Sequence, residues 1–284
     1  MTEILIKTYM PDIVATKRLL HDLDYTETKL NISVVSDKET LNNLAQITDL
    51  KLNTAFINED EFLTNEDKKL TGYVKQQIVK LRYYLASKKN NYFILDSDCR
   101  ILREITESDF VDSNGEFKDQ LDINCDAELY NYWNSKYKFN RDNYRRYIMS
   151  YFGLEEIVNI HGMTALECGT LQDLMKFIDK KGDKLGALLE RAPMEFSWYY
   201  GFKQREKRSL NVTGKLIYTF HTLQQYKAMK DNISLASIKD KYAGYVLNSN
   251  WSDKYGVRSY GDNVRYSQII KENLIKLSKS GRQR

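Results

Sequence analysis

The segment that most constrains the fold is a run of four apolar residues, Tyr92-Phe93-Ile94-Leu95, followed directly by Asp96-Ser97-Asp98. An unbroken apolar run of this length predicts a strand that is covered on both faces. Residues 70–85 precede it with apolar side chains at helical spacing, which predicts a helix that leads into the strand. Strands covered on both faces belong to mostly parallel sheets with helices on either side.

Further strands and helices alternate through the first half of the chain. We predict strands at residues 4–6, 32–37 and 54–57, and helices at residues 14–23 and 38–47. Later segments are predicted to be helices at residues 127–152 and 170–181, strands at residues 157–160 and 216–220, and a basic amphipathic helix at residues 266–277. This order predicts an α/β, Rossmann-like fold, with a mostly parallel central sheet flanked by helices and a helical C-terminal part.

Two carboxylates, Asp96 and Asp98, lie at the carboxyl end of the predicted buried strand. Open α/β sheets bind their ligands at this end. Residues two apart in an extended segment point to the same side, so both carboxylates could converge on one cation. Mg²⁺ or Mn²⁺ would relieve their repulsion, since such ions bind few protein carboxylates together with phosphate oxygens. The alternative is a turn in which the two aspartates cap the next element.

The helix segment Lys75-Gln76-Gln77-Ile78-Val79-Lys80-Leu81, followed by Phe93-Ile94-Leu95-Asp96-Ser97-Asp98, resembles the helix-then-DxD signature of bacterial polysaccharide and lipopolysaccharide glycosyltransferases with the GT-A fold. The order of an early strand ending in Lys7-Thr8-Tyr9, a strand with Val34-Val35-Ser36 and then the DxD is similar too. The resemblance is clearest over residues 1–120. It implies a metal-dependent glycosyltransferase of surface polysaccharide synthesis. The expected partners are Mn²⁺ or Mg²⁺, a nucleotide-sugar donor such as a UDP-sugar, and a glycan or lipid-linked saccharide acceptor.

The resemblance also implies roles for individual residues. Asp98 would be the direct metal ligand, and Asp96 would bind the donor ribose or the metal through water. Ser97 and Lys80 would contact the donor, and His221 would complete the metal site, as a late histidine does in several GT-A enzymes. A lone histidine after a strand can equally be a hydrogen-bonded structural residue.

The end of the first predicted strand, Lys7-Thr8-Tyr9, is a candidate for holding the base of the donor nucleotide. Simple termination of the strand is the alternative. With these assignments the chain divides into a donor-binding half at residues 1–110, an acceptor-binding and catalytic half at residues 111–230, and a helical extension at residues 231–284.

Glycosyl transfer with inversion requires a carboxylate base beside the acceptor hydroxyl. Glu195 is the first candidate, because Phe196, Trp198 and Tyr199 could form an aromatic sugar pocket around it. The segment from Glu195 to Gly201 resembles a Phe-Ser-Glu-Tyr segment of some of these enzymes, although Trp198 stands where they have glutamate. Glu167 is the second candidate. A solvated helix residue is the alternative for Glu195, and a retaining reaction would not need this base.

One alternative function is a phosphatase of the haloacid dehalogenase type, in which the DxD supplies a nucleophile and an acid or base. That class requires a later apolar strand leading into Gly-Asp-x-x-x-Asp. Gly182-Asp183 and Gly261-Asp262 follow polar residues and have no aspartate four positions on. A second alternative is a non-enzymatic binder of nucleic acid, suggested by Tyr144-Arg145-Arg146-Tyr147. The net charge of only +4 argues against a nucleic-acid partner.

Composition also bears on localisation. The three cysteines are odd in number and far apart, which disfavours a disulfide framework and a structural zinc site. The first ten residues lack the pattern of a signal peptide, and no apolar run reaches the ~18 residues that span a bilayer. We therefore expect a cytoplasmic protein. The basic helix at residues 266–277 suggests contact with the inner face of the membrane, unless its apolar stripe packs on the catalytic domain.

Overall fold

The computed structural model describes residues 2–47, 49–121, 141–158, 163–220 and 238–247. The described strands are β1 Thr2–Lys7, β2 Ile32–Ser36, β3 Thr54–Asn58, β4 Asn91–Asp96, β5 Cys99–Ile101, β6 Asp119–Gln120, β7 Ala165–Glu167, β8 Val212–Thr213, β9 Ile217–Phe220 and β10 Gly244–Leu247. The described α-helices are α1 Ile13–Tyr25, α2 Lys38–Leu44, α3 Gly72–Arg82, α4 Arg141–Phe152, α5 Cys168–Lys180, α6 Leu185–Arg191 and α7 Glu195–Arg205. The predicted His221, the helix at residues 266–277 and most of residues 231–284 lie outside the described residues.

A five-stranded sheet with the order β3-β2-β1-β4-β7 forms the centre of the fold. β1, β2, β3 and β4 pair in parallel, and β7 pairs antiparallel with β4. The predicted α/β fold with a mostly parallel sheet flanked by helices is confirmed. Each predicted strand of the first half is present, with its ends shifted by a few residues.

Two apolar layers cover the faces of this sheet, and β4 contributes to both because successive side chains in a strand point to opposite faces. Tyr92 and Ile94 pack in the layer that contains α3, α5, α6 and α7. Phe93 and Leu95 pack in the layer that contains α1. All four side chains are fully buried, which explains why β4 is apolar without alternation.

Local capping fixes where the helices on either side of the site begin. Asp37 begins α2 by accepting a hydrogen bond from the Thr40 backbone N–H at 2.9 Å, and Thr71 begins α3 by accepting one from the Val74 N–H at 3.4 Å. α7 is anchored by Trp198, whose side chain is fully buried and whose Nε1–H donates to the Ala192 carbonyl at 2.8 Å.

The second half departs from the prediction in three places. Residues 157 and 158, predicted to begin a strand, lie outside the strands, and Ile157 instead packs against the helices of the apolar core. The strand that pairs with β4 on the side away from β1 is β7. It has only three residues and therefore shows no periodicity in the sequence. The predicted strand at 216–220 exists as β9, but it pairs with β10 in a small sheet with the order β5-β10-β9.

The strand β10 belongs to the part of the chain predicted to be a helical extension, and it pairs antiparallel with β5, directly after the DxD. A third pair, β6 with β8, completes the described sheets. None of the helices in the described part of the chain combines the length and the apolar character that a membrane span requires.

The pairing of β10 with β5 requires glycine at position 244. A Cβ atom there would come within 2.2 Å of the Arg100 carbonyl oxygen, whereas a Cβ at Gly169 in α5 would meet nothing within 4 Å. We expect Gly244→Ala to lower the free energy of unfolding by about 1–3 kcal/mol, as overpacking does. The matched Gly169→Ala should be neutral or stabilising by up to ~1 kcal/mol, because alanine favours helix. Urea unfolding of both variants measures the difference, and equal effects would contradict the close approach of β10 to β5.

Candidate functional site

The strand order creates a topological switch point between β1 and β4. The chain forms β2 and β3 on one side of β1 and then returns to form β4 on its other side. In the register of the two strands, Lys7 at the end of β1 pairs with Asp96 at the end of β4. Ligands of open α/β sheets bind in the crevice at such a point, at the carboxyl ends of the strands. The crevice between Lys7 and Asp96 is therefore the candidate site.

The DxD forms the turn that joins β4 to β5. Asp96 is the last residue of β4 and its side chain is 46% exposed. Ser97 is buried, and its Oγ donates a hydrogen bond to Asp12 Oδ2 at 2.9 Å. Asp98 follows at a partly buried position, immediately before Cys99 begins β5. The turn thus presents the carboxylates of the DxD at the carboxyl end of the sheet, with Ser97 holding it to the start of α1.

Lys80 of α3 connects the DxD to Glu195, the first residue of α7. Its Nζ lies 3.0 Å from Asp96 Oδ1 and 3.2 Å from Glu195 Oε1. Only 7% of the Lys80 side chain and 13% of the Glu195 side chain are exposed. Burial alone would lower the pKa of Lys80, but the charges of Asp96 and Glu195 outweigh it and raise this pKa above its usual value. Lys80 therefore carries a permanent positive charge between two carboxylates.

The segment Lys7-Thr8-Tyr9 has two roles in the structure. Lys7 Nζ donates to the Thr8 carbonyl at 2.6 Å and pairs with Glu59 Oε2 at 2.8 Å. Burial lowers the pKa of Lys7, against the opposing charge of Glu59. The Thr8 carbonyl also accepts from Ser36 Oγ at 2.8 Å, so Lys7 and Thr8 join the ends of β1, β2 and β3. The ring of Tyr9 is about half exposed and is the part of the segment available to a ligand.

The two candidate bases lie at opposite ends of the sheet. Glu195 contacts Lys80 at the carboxyl end of β4, as described above. Glu167 is the Cα partner of Asn91 at the amino end of β4. Five residues of strand, or about 17 Å, separate Asn91 from Asp96. The structure therefore brings Glu195 together with the DxD and does not bring Glu167 there.

Glu167 belongs to a separate buried network. Its Oε2 accepts hydrogen bonds from Lys203 Nζ at 2.9 Å and from the Tyr199 hydroxyl at 3.1 Å. Lys203 Nζ also donates to Asp119 Oδ1 at 2.7 Å. Burial raises the pKa of Asp119, which the positive charge of Lys203 opposes. This network ties α7 to β6 and β7 at the end of the sheet away from the crevice.

A hard divalent cation is the group that the DxD implies, and the side chains present fit it. Asp96 and Asp98 carry carboxylate oxygens in the turn at the carboxyl end of β4. Two carboxylates from a protein, with phosphate and water oxygens as the other ligands, are a usual set for Mg²⁺. Among the described residues, no group of three His, Cys, Asp or Glu side chains could hold a metal ion. The predicted ligand His221 lies outside the described residues.

Asp12 is a member of the site that the sequence patterns do not single out. It stands at the start of α1 and accepts hydrogen bonds from Ser97 and Tyr9. Burial raises the pKa of the Asp12 carboxyl, and the nearby charge of Asp96 adds to this, while the two hydrogen bonds oppose it. A Pro-Asp pair after a strand gives no signal of this contact, because Ser97 lies 85 residues away.

Of the residues behind the two alternative functions, Gly261-Asp262 lies outside the described residues, and those in the described part of the chain have structural roles. Gly182 ends α5 with a positive φ of 76°, and Asp183 accepts a hydrogen bond from the Tyr151 hydroxyl at 2.9 Å. No strand leads into Gly182-Asp183, as the phosphatase would require. Arg145 donates to the Ile157 carbonyl at 2.7 Å, and Tyr147 packs edge-on against Trp198 at 6.0 Å between ring centroids. The Tyr/Arg segment of α4 thus contributes to packing.

Comparison with known proteins gives a family match and likenesses to solved structures. A family model described as a family of unknown function, DUF6492, matches residues 8–140. The crystal structure of mouse xyloside xylosyltransferase 1 in its apo form is similar, with 11% identity, a TM-score of 0.46, and coverage of 88% of this chain and 99% of that chain. Galactosyltransferase LgtC in complex with donor and acceptor sugar analogs has 10% identity, a TM-score of 0.46, and coverage of 88% and 87%. No curated protein matches the sequence.

The raised pKa of Asp12 predicts a pH-dependent effect of Asp12→Asn. A raised pKa means that the folded protein binds the proton of the Asp12 carboxyl more tightly than the unfolded chain does. The stability that protonated Asp12 contributes is therefore fully present below its unfolded pKa and is lost as pH rises through its folded pKa. Asparagine keeps an oxygen for Ser97 and cannot ionise. We expect Asp12→Asn to melt at the same or a higher temperature than wild type at pH 7, with this advantage shrinking toward pH 4.

Thermal unfolding from pH 4 to pH 7 measures this difference. Glu116→Gln, which changes an exposed carboxylate outside the site, is the control and should show a constant difference from wild type. An Asp12→Asn advantage that grows as pH falls would contradict the burial of this carboxyl.

Proposed function

We propose that this protein is a metal-dependent glycosyltransferase that moves a sugar from a nucleotide-sugar donor to a glycan or lipid-linked saccharide acceptor. The observation that carries the proposal is the position of the DxD. It lies at the carboxyl end of the buried strand β4, directly across the switch point from the end of β1. A pair of carboxylates in such a crevice suits a cation bound to a diphosphate.

The donor would lie along the crevice between β1 and β4. The exposed ring of Tyr9 offers a stacking surface for the nucleotide base. Asp96 and Asp98 would hold Mn²⁺ or Mg²⁺, and the ion would neutralise charge on the leaving diphosphate. Lys80 adds a fixed positive charge beside Asp96. A UDP-sugar is the donor that we propose.

Glu195 would act as the base. In an inverting transfer, its carboxylate accepts the proton of the acceptor hydroxyl while the hydroxyl oxygen bonds to the sugar C1. The bond between C1 and the diphosphate oxygen breaks, and its electron pair leaves with the nucleotide. Lys80, 3.2 Å away, holds the Glu195 carboxylate in place, and the first position of α7 is one where the helix dipole favours negative charge.

The surroundings of Glu195 suit a sugar acceptor. Phe196 follows it at the start of α7, and the Lys80 ammonium lies 5.7 Å from the centre of the Phe196 ring. A partly buried ring beside a carboxylate provides an apolar face and a hydrogen-bond acceptor for a pyranose. The proposal leaves Glu167 out of the transfer site, because it lies at the other end of β4.

Donor binding tests the proposal directly. We expect one of the UDP-, GDP-, CMP- or dTDP-sugars to raise the melting temperature by about 5 °C when present at ~100 times its Kd with Mn²⁺. Asp98→Ala should abolish this Mn²⁺-dependent shift. The variant should keep the fold, because Asp98 is a partly buried turn residue between β4 and β5.

Glu116→Ala, which removes an exposed acid outside the crevice, is the matched control and should retain the full shift. Calorimetry with the donor that binds best then gives the affinities. Unchanged donor affinity of Asp98→Ala in Mn²⁺ would refute the metal assignment, and no shift with any donor would refute the proposed function.

The role of Glu195 predicts a separation of turnover from donor binding. Glu195→Gln keeps the shape of the side chain but cannot accept the proton, so we expect kcat to fall by about 10²- to 10⁴-fold. Donor affinity should change far less than kcat. Glu167→Gln is the comparison variant and should retain turnover. A fully active Glu195→Gln enzyme would exclude Glu195 as the base and favour a retaining reaction.

A further inference from the structure

The most unusual arrangement in the site is a single buried ammonium shared by two carboxylates from different elements. Lys80 Nζ contacts Asp96, which ends β4, and Glu195, which begins α7. The two carboxylates differ in their surroundings, since Asp96 is 46% exposed and Glu195 only 13%. Asp96 can therefore bind a cation from solvent, while Glu195 depends more strongly on Lys80 for a counter-charge.

A divalent cation on Asp96 changes the balance between these two contacts. The cation and the Lys80 ammonium then compete for the same carboxylate, and they repel each other at a separation of a few ångströms. Lys80 keeps its favourable contact with Glu195, so it shifts toward that residue. Cation binding and the Lys80–Glu195 pair therefore favour each other, while the Lys80–Asp96 pair opposes cation binding.

We propose that Lys80 is a positioning residue that couples occupancy of the cation site at Asp96 to the orientation of Glu195. With the cation absent, Lys80 divides its hydrogen bonds between the two carboxylates. With the cation bound, Lys80 holds the Glu195 side chain in one orientation, so the base is positioned when the donor site is loaded. This inference rests on the proposed function, because it takes Asp96 as a ligand and Glu195 as the base.

Thermodynamic linkage gives the coupling a definite sign for each variant. Lys80→Met removes the competitor for Asp96, so Mn²⁺ alone should bind about tenfold more tightly or better. Glu195→Gln removes the partner that draws Lys80 away from Asp96, so Mn²⁺ should bind about threefold to tenfold more weakly, although Glu195 is not a ligand. In the Lys80→Met background, Glu195→Gln should have little effect on Mn²⁺ affinity.

The experiment is a double-mutant cycle in which Mn²⁺ alone is titrated into wild type, the two single variants and the double variant, with affinity measured by electron paramagnetic resonance of free Mn²⁺. Lys203→Met is the matched control. Lys203 is also a buried lysine between two carboxylates, Asp119 and Glu167, but at the amino end of β4. Its substitution should lower stability and leave Mn²⁺ affinity unchanged.

Each outcome of the cycle has a distinct meaning. If Lys80→Met does not fold, the comparison of Glu195→Gln with the double variant decides. The double variant loses the buried ammonium and the buried carboxylate together, so it leaves no buried charge unpaired. Its Mn²⁺ affinity should be about tenfold higher, or more, than that of Glu195→Gln. An equal effect of Glu195→Gln with and without Lys80, or no gain on removing Lys80, overturns the coupling. Asp98→Ala is titrated beside the cycle, and if it fails to bind Mn²⁺ while the coupling is absent, the proposed function stands. No binding of Mn²⁺ alone by any of the proteins overturns the coupling, while the Mn²⁺-dependent shift with a nucleotide-sugar decides the metal dependence separately.

Discussion

The parallel pairing of β1 with β4 is the constraint on which the rest of the site depends. It sets Lys7 opposite Asp96 and brings the residues that follow both strands to one edge of the sheet. The pairing is held by two apolar layers, because Ile4, Ile6, Phe93 and Leu95 pack on one face while Leu5, Tyr92 and Ile94 pack on the other. A charged or polar substitution within these strands would act on the site through the register, even where it touches no ligand.

Among the described residues, three buried lysines each pair with one or two carboxylates, which offsets the free-energy cost of burying their charge. Lys7 pairs with Glu59, Lys80 with Asp96 and Glu195, and Lys203 with Asp119 and Glu167. Burying an ion pair seldom adds net stability, while removing one partner is strongly destabilising. In this fold each of these lysines positions a particular element. Lys7 joins the ends of three strands, Lys203 ties α7 to the amino end of the sheet, and Lys80 lies against the DxD.

Sequence patterns predict the parts of the molecule that depend on local order. β4 and α3 are predictable because the apolar run of β4 and the apolar stripe of α3 each lie within one continuous segment of the sequence. The position of the DxD at a strand end is predictable for the same reason. The contact between Lys80 and Glu195 joins residues 115 positions apart, and the contact between Ser97 and Asp12 joins residues 85 apart. No periodicity encodes either contact.

The two candidate bases illustrate the same limit. Glu167 and Glu195 are both plausible from the sequence, because nothing in their neighbouring residues tells which end of the sheet each one reaches. The distinction comes from β7, which runs antiparallel to β4 and so carries Glu167 to the amino end of the sheet. Three residues of strand are too few to reveal their direction in a sequence.

The helix α7 supplies charged side chains to both ends of the sheet. Glu195 and Lys203 are eight residues apart, or about 12 Å along the axis, so they reach opposite ends of the sheet from the same helix. Between them, Trp198 packs edge-on against Tyr151 and Phe152 at centroid distances of 5.1 and 5.6 Å. This aromatic packing fixes the axial position of α7. Trp198 lies three residues after Glu195, so its packing holds the turn of α7 from which Glu195 reaches Lys80.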